Sequence, residues 1–423
     1  MTDGILAAVK TFAIFFVVIN IVPVLIWMER KVAAYIQDRR GPNRAAILGI
    51  RLGGMIHSLN DVIKLFTKED ILPPHVNKPM YLAAPMIAMF VATITMAVIP
   101  FADPMTIGGK KFLLQIADLD AGLLYVFAVS SLGIYGVLLA GWAANNKFAL
   151  LGGLRASAQM ISYEISLGLA VVGIFLLAGS LKLSDIVAQQ GSDLWMWNII
   201  RQPVAFFIFL AALFAETNRL PFDLPEGEAE IVAGYHVEYS SMKFALFFMA
   251  EYAHIIVGSC IITTLFFGGW HIPFISADWM RANADLLLKI NWAGFALVSI
   301  LGGGYIAKWF RKGKYGDLRD FEPLVIGVPG ILTGVGLLGL FVLFGDQVHL
   351  TGLWKGIFIA GLQVSVFLAK ALFFCFFFIW VRWTLPRFRY DQLMRLGWKG
   401  MLPLALVNIL VTGWVVLFGG HHT

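Results

Sequence analysis

Apolar blocks close to twenty residues long recur from one end of this 423-residue chain to the other. A block of that size matches the roughly 30 Å of hydrocarbon that a helix crosses at about 1.5 Å per residue. In that solvent each backbone N–H and C=O must find its partner within the protein, so blocks of this length are read as spanning helices. Ten segments qualify: 5–27, 79–101, 122–142, 156–178, 202–216, 243–268, 292–309, 324–345, 359–383 and 401–419. The fifth is short and ends on a glutamate. The pattern predicts an all-α, polytopic transmembrane bundle forming one membrane domain over 1–423. Composition agrees: 59% of residues are hydrophobic and 14% charged, against about 25% charge in a soluble domain. A soluble enzyme, a nucleic-acid module and a disordered chain are excluded. The first block lacks the small-residue cleavage site of a signal peptide and reads as a retained span.

Basic residues set the expected orientation. The loops after odd-numbered segments (28–78, 143–155, 217–243, 308–323 and 382–400) hold 23 of the 32 Lys and Arg, and the opposite side holds eight. Positive-inside reasoning puts those loops on the cytoplasmic or matrix face and both termini outside. The two cysteines, Cys260 and Cys375, each lie within an apolar block. Neither belongs to a spacing that could hold zinc or an iron–sulfur cluster, so both read as small apolar fillers and no metal is expected.

Ionisable groups inside spans are costly and mark ion paths or ligand sites. Glu164 lies in the fourth segment, Glu216 ends the fifth, Glu251 lies in the sixth with His254 one turn on, and Glu29 and Arg30 close the first. Any one alone could be a hydrogen-bonded helix contact; four acids approached from one face point to a path. The loop 217–242 is denser still, with Asp223, Glu226, Glu228, Glu230 and Glu238, and only Arg219 and Lys243 nearby as counter-charges. Pro221, Pro225 and Gly227 interrupt helix there. Leu220, Phe222, Leu224, Ile231 and Val232 are interleaved, so the loop is expected to pack, with its acids coupled in titration. The loop 28–78 is basic. Its apolar Leu52, Met55, Ile56, Leu59, Val62, Ile63 and Phe66 share one helical face, while Asp61 and Lys64 stand one turn apart and able to pair. Such a helix suits a membrane interface, a soluble partner or lateral access for a lipophilic ligand.

Six blocks carry a family resemblance. They are Glu29-Arg-Lys with Gln37-Asp-Arg-Arg-Gly-Pro-Asn43, Asp61-Val-Ile-Lys64, Ser162-Tyr-Glu-Ile165, the long run Glu216 to Glu230, Tyr239 to Glu251, and Val381 to Asp391. In these the sequence resembles the quinone-site membrane subunit of proton-pumping NADH–quinone oxidoreductase, respiratory complex I, over about 5–270 and 359–419. The resemblance implies a translocase subunit that binds no flavin, haem or iron–sulfur cluster and is not catalytic alone. With the soluble-arm quinone-site and terminal iron–sulfur cluster subunits it would form the quinone chamber. Small membrane subunits and antiporter-like pump subunits complete the implied partners, in a bacterial inner membrane or, as an alternative, a mitochondrial one.

Carried over residue by residue, Glu29, Arg30, Asp61 and Lys64 would line the quinone passage, with Ala33 and Ala34 beside it. Arg382, Arg387 and Arg389 would face the soluble arm or the same passage. Glu216, Asp223, Glu226, Glu228, Glu230 and Glu238 would form an acidic proton-coupling funnel, and Glu164 and Glu251 its membrane end. The family usually has eight spans, so 285–350 reads as a two-span insertion, expected at the lipid-facing periphery with Gly302, Gly303 and Gly304 joining its helices. Two rivals are the membrane anchor of a related energy-converting hydrogenase and a secondary transporter. The second should show symmetric halves, and no internal repeat stands out.

Overall fold

The structure, a computed structural model, describes residues 2–107, 110–225, 227–310, 318–345 and 347–419. Among them nine helices are long and apolar enough to cross a membrane, and a tenth, Pro203–Glu216, is shorter. The principal helices are α1 (Thr2–Ile36), α2 (Ile56–Thr67), α3 (Lys78–Ile94), α4 (Gly122–Ala143), α5 (Lys147–Ala178), α6 (Pro203–Glu216), α7 (Ser241–Phe266), α8 (Ala284–Lys308), α9 (Glu322–Phe344), α10 (Gly352–Thr384) and α11 (Leu402–Gly419). Helices α3 to α6 pack in chain order, α11 closes on α5, and α1 lies against α7 and α10. Helix α7 is the axis: 72% of its apolar window is buried, against 11% for α8 and for α9. The all-α expectation holds apart from a short antiparallel ribbon in the loop after α3, where Met105 pairs with Phe112.

Several boundaries differ from the apolar pattern for local reasons. Helix α1 continues nine residues past position 27, so Glu29, Arg30, Ala33 and Ala34 sit on helix. Nothing there breaks it, since Ala, Arg and Lys are good helix formers outside the hydrocarbon as well. Helix α5 starts at Lys147, inside the expected loop, because the Asn146 side chain caps it by accepting from the Phe148 N–H at 2.9 Å. Helix α2 begins only at Ile56, because Gly53 and Gly54 take φ of +64° and +97° just before it. Its Leu59, Val62, Ile63 and Phe66 remain exposed. In the acidic loop a single helical turn, Glu228–Ile231, forms after the last breaker.

The α8–α9 pair is a hairpin held by small residues. A Cβ on Gly303 would come within 2.6 Å of the Gly327 carbonyl oxygen, whereas Gly302 and Gly304 have nothing within 4 Å. One glycine of the three makes the contact, with Gly327, Gly330 and Gly334 answering from α9. At the other end Asp285 accepts from the Leu350 N–H at 2.8 Å and faces His349 at 3.2 Å. Cys260 and Cys375 are free and buried.

Candidate functional site

Two features meet where α1 emerges from the bundle. The first is a cavity of about 520 Å³ lined by Glu29, Arg30, Ala33, Arg39, Gly41, Pro42, Asn43, Arg44, His57 and Trp383. Arginine, histidine and glutamate side chains share it with Ala33, Pro42 and Trp383, a mixture suited to a molecule with a polar head and an apolar body. Arg30 reaches across to Asp61 of α2 at 2.5 Å. Asp61 therefore ties two helices together instead of pairing with Lys64 on its own helix; Lys64 is exposed on α2. The two alanines differ. Ala33 lines the cavity, whereas Ala34 is fully buried beneath Gly41, where an added Cβ would come within 2.9 Å of it.

The second feature is a buried chain of charges that starts in that cavity wall. Glu29 receives hydrogen bonds from Tyr252 and from Arg382, each at 2.5 Å. Arg219 stands 3.7 Å from Glu29 and 3.4 Å from Glu251, with its guanidinium 4.4 Å above the Tyr252 ring. Glu251 in turn accepts from the Tyr235 hydroxyl at 3.1 Å. Arg219 is 3% exposed, so its charge is held by these carboxylates and not by water. The arrangement links Arg382, Glu29, Arg219 and Glu251 across three helices and the acidic loop.

The loop acids disperse. Asp223 pairs with Arg387 at 3.0 Å, Glu230 with Arg155 at 2.9 Å, and Glu238 accepts from Asn146 at 2.7 Å. Arg219 and Lys243, the nearby cations in sequence, are engaged elsewhere, the latter with Asp70 at 2.8 Å. Chain proximity is a poor guide here because the loop folds back onto α5 and the segment after α10. Glu226 lies outside the described residues, as does the side chain of Glu228. Arg389 is exposed and away from the cavity lining. Burial pushes the Asp223 carboxyl up to about 6, with Glu251 acting in the same direction and Arg387 and Arg219 opposing.

Glu164 and Glu216 lie near each other, with Ser130 beside Glu216 and Ser131 beside Glu164. Beside them a cavity of about 20 Å³ is lined in part by Thr95, Ser130, Glu216, Thr217 and His254, room for about one water. Tyr235, Tyr252 and His57 carry as much of the site as the acids do, and residue type alone does not single them out. Their signal is adjacency: Tyr252 follows Glu251, and His57 opens the amphipathic helix. Among the described residues no group of three His, Cys, Asp or Glu could hold a metal.

Comparison with known proteins adds an independent finding. A family model described as NADH dehydrogenase matches residues 9–413. The chain is 44% identical over 415 residues to an NADH-quinone oxidoreductase subunit of Solibacter usitatus, covering 97% of this chain and 96% of the relative. It is 43% identical over 408 residues to the corresponding NADH-quinone oxidoreductase subunit of Geobacter metallireducens, with 96% and 95% covered. For that of Cytophaga hutchinsonii the identity is 41% over 391 residues, with 92% and 91% covered.

Proposed function

Because this chain belongs to the NADH dehydrogenase family, we propose that its buried charge chain couples quinone reduction to proton movement. The chain is a membrane subunit of NADH–quinone oxidoreductase, complex I, and works as part of that enzyme. The quinone passage is the cavity beside α1, walled by Ala33 on the side of the bundle and by Arg39 and Arg44 on the side of the soluble arm. The single observation that carries this reading is the double placement of Glu29, at the cavity wall and at the end of the buried chain.

Quinone reduction takes up two protons and passes through negatively charged forms. Negative charge in the cavity competes with Glu29 for the nearby guanidinium groups of Arg30, Arg39, Arg44 and Arg382. As Arg382 is drawn off, Glu29 leans more on Arg219 and Glu251 is left with less of it. Charge change at the cavity is thereby converted to a change at α7, and from there to the Glu216 and Glu164 pair near His254. The exposed apolar face of α2 is the docking surface for the soluble-arm subunits; the antiporter-like and small membrane subunits take the lipid-depth faces. The setting is the bacterial inner membrane, with the basic loops in the cytoplasm and both termini outside.

An energy-converting hydrogenase anchor would carry similar acids but would have no use for a cavity that sets Ala33, Pro42 and Trp383 beside arginines, which favours the quinone reading. Ala33→Trp tests it. The apparent KM for a long-chain quinone is expected to rise several-fold while a truncated analogue is little affected, with NADH–ferricyanide activity counting assembled complex. Equal effects on both quinones would remove the passage from this position.

A pH test addresses Asp223. Arg387 favours the charged form of this carboxyl, so Arg387→Gln should move its titration upward from about 6. The acidic limb of the quinone reductase profile is then expected to shift to higher pH, while Arg389→Gln leaves it in place. An unshifted limb in Arg387→Gln would separate Asp223 from the coupling.

A further inference from the structure

Glu322, the first residue of α9, is turned into the protein against Arg51. It is 7% exposed and accepts both the Arg51 N–H at 2.8 Å and the Arg51 Nε–H at 2.5 Å. This is a two-point, charge-assisted contact between the α8–α9 hairpin and the loop joining α1 to α2. Burying an ion pair at the foot of an otherwise lipid-facing hairpin carries a desolvation cost that α8–α9 packing does not require. The loop it grips frames the cavity.

From Arg51 the path to the cavity is short. Arg51 follows a tight turn in which Ile47 and Ile50 exchange backbone hydrogen bonds at 3.0 and 2.9 Å. Two residues on, the Gly53 carbonyl accepts from Trp27 Nε1 at 3.2 Å. Gly54 then lies so close to Pro42 that an added Cβ would stand 2.0 Å from the Pro42 oxygen. Pro42 is itself cavity wall, and His57, at the start of α2, both lines the cavity and accepts the Arg44 and Ala45 N–H groups at 3.2 and 3.1 Å. Trp27 and His57 hold the loop from the bundle, and Glu322 holds it from the hairpin. The loop's own apolar residues offer little grip, since Ile47, Leu48 and Leu52 are exposed, and such segments open at low free energy.

We propose that the α8–α9 hairpin braces the mouth of the quinone passage, with Glu322 acting through Arg51 as a positioning residue for the wall formed by residues 41–44. This rests on the cavity being the quinone passage. The hairpin is thus a part of the access machinery and not a lipid-facing ornament.

The test uses membranes containing the assembled complex. Glu322→Ala is expected to raise the apparent KM for long-chain quinone about three- to tenfold, with kcat within about twofold and NADH–ferricyanide activity unchanged. Deuterium uptake by amides 47–54 in the same complex should accelerate, and Glu322→Gln, which keeps an acceptor for the Arg51 N–H, should fall between. Wild-type KM and wild-type uptake in Glu322→Ala would overturn the brace. Should that variant fail to assemble, unaltered uptake at 47–54 in Glu322→Gln overturns it equally. Ala33→Trp separates the two readings: if it raises KM and Glu322→Ala does not, the brace fails alone. If Ala33→Trp has no effect, the passage has been misplaced.

Discussion

Arg219→Gln is expected to lower quinone reduction per assembled complex by about a hundredfold or more. The guanidinium lies between Glu29 and Glu251, at 3.7 and 3.4 Å, and stacks over Tyr252. Removing one partner of a buried charge pair costs about 3–5 kcal/mol, because the remaining carboxylates are left uncompensated. At about 1.4 kcal/mol per factor of ten, that exceeds a hundredfold if expressed in the transition state. Glu29 and Glu251 would be left without the cation that stands between them, and the link from cavity to α7 would be lost. Arg219→Lys restores the charge without the planar fork and should recover only part of the rate. Quinone rates normalised to NADH–ferricyanide activity give the measurement. A wild-type normalised rate in Arg219→Gln would remove the buried chain from the mechanism.

Gly152→Leu should be the most damaging single change to folding. A Cβ there would meet Gly234 Cα at 2.6 Å and the Tyr235 nitrogen at 2.7 Å. Both are backbone atoms of the segment that delivers Tyr235 to Glu251, so no side chain can move aside. Overpacking of a tight contact typically costs about 1–3 kcal/mol and sometimes more, and the collision with main chain puts this case at the upper end. The yield of assembled complex and its thermal midpoint should both fall sharply. Gly168→Ala, in the same helix with nothing within 4 Å, is the control. It should be neutral or slightly stabilising, since Ala is favoured over Gly in a helix by about 1 kcal/mol. Equal tolerance of both changes would mean that the acidic loop does not depend on its seat against α5.

The membrane bundle, the acids and the family were legible before any geometry, and for one reason. Span length and the cost of charge in hydrocarbon are properties of local sequence, so twenty apolar residues or an embedded glutamate declare themselves wherever they fold. Local chemistry also exposed the amphipathic helix around Asp61, although two glycines with positive φ shorten it.

Partnership was different. Glu29 and Arg382 are 353 residues apart, Asp223 and Arg387 are 164, and Arg51 and Glu322 are 271. Sequence proximity instead suggested Asp61 with Lys64, and Arg219 with the acids of its own loop. Ion pairs follow distance in space and shared burial, because Coulomb energy at a few Å in low dielectric outweighs anything a neighbour along the chain contributes through water. The spans, the buried acids and the kinship were therefore determined by the sequence alone. Tertiary structure decided which acid faces which arginine, that Ala33 and not Ala34 meets the cavity, and that the α8–α9 hairpin reaches back to the loop beside the cavity through Glu322 and Arg51, since each depends on how helices far apart in the chain are brought side by side.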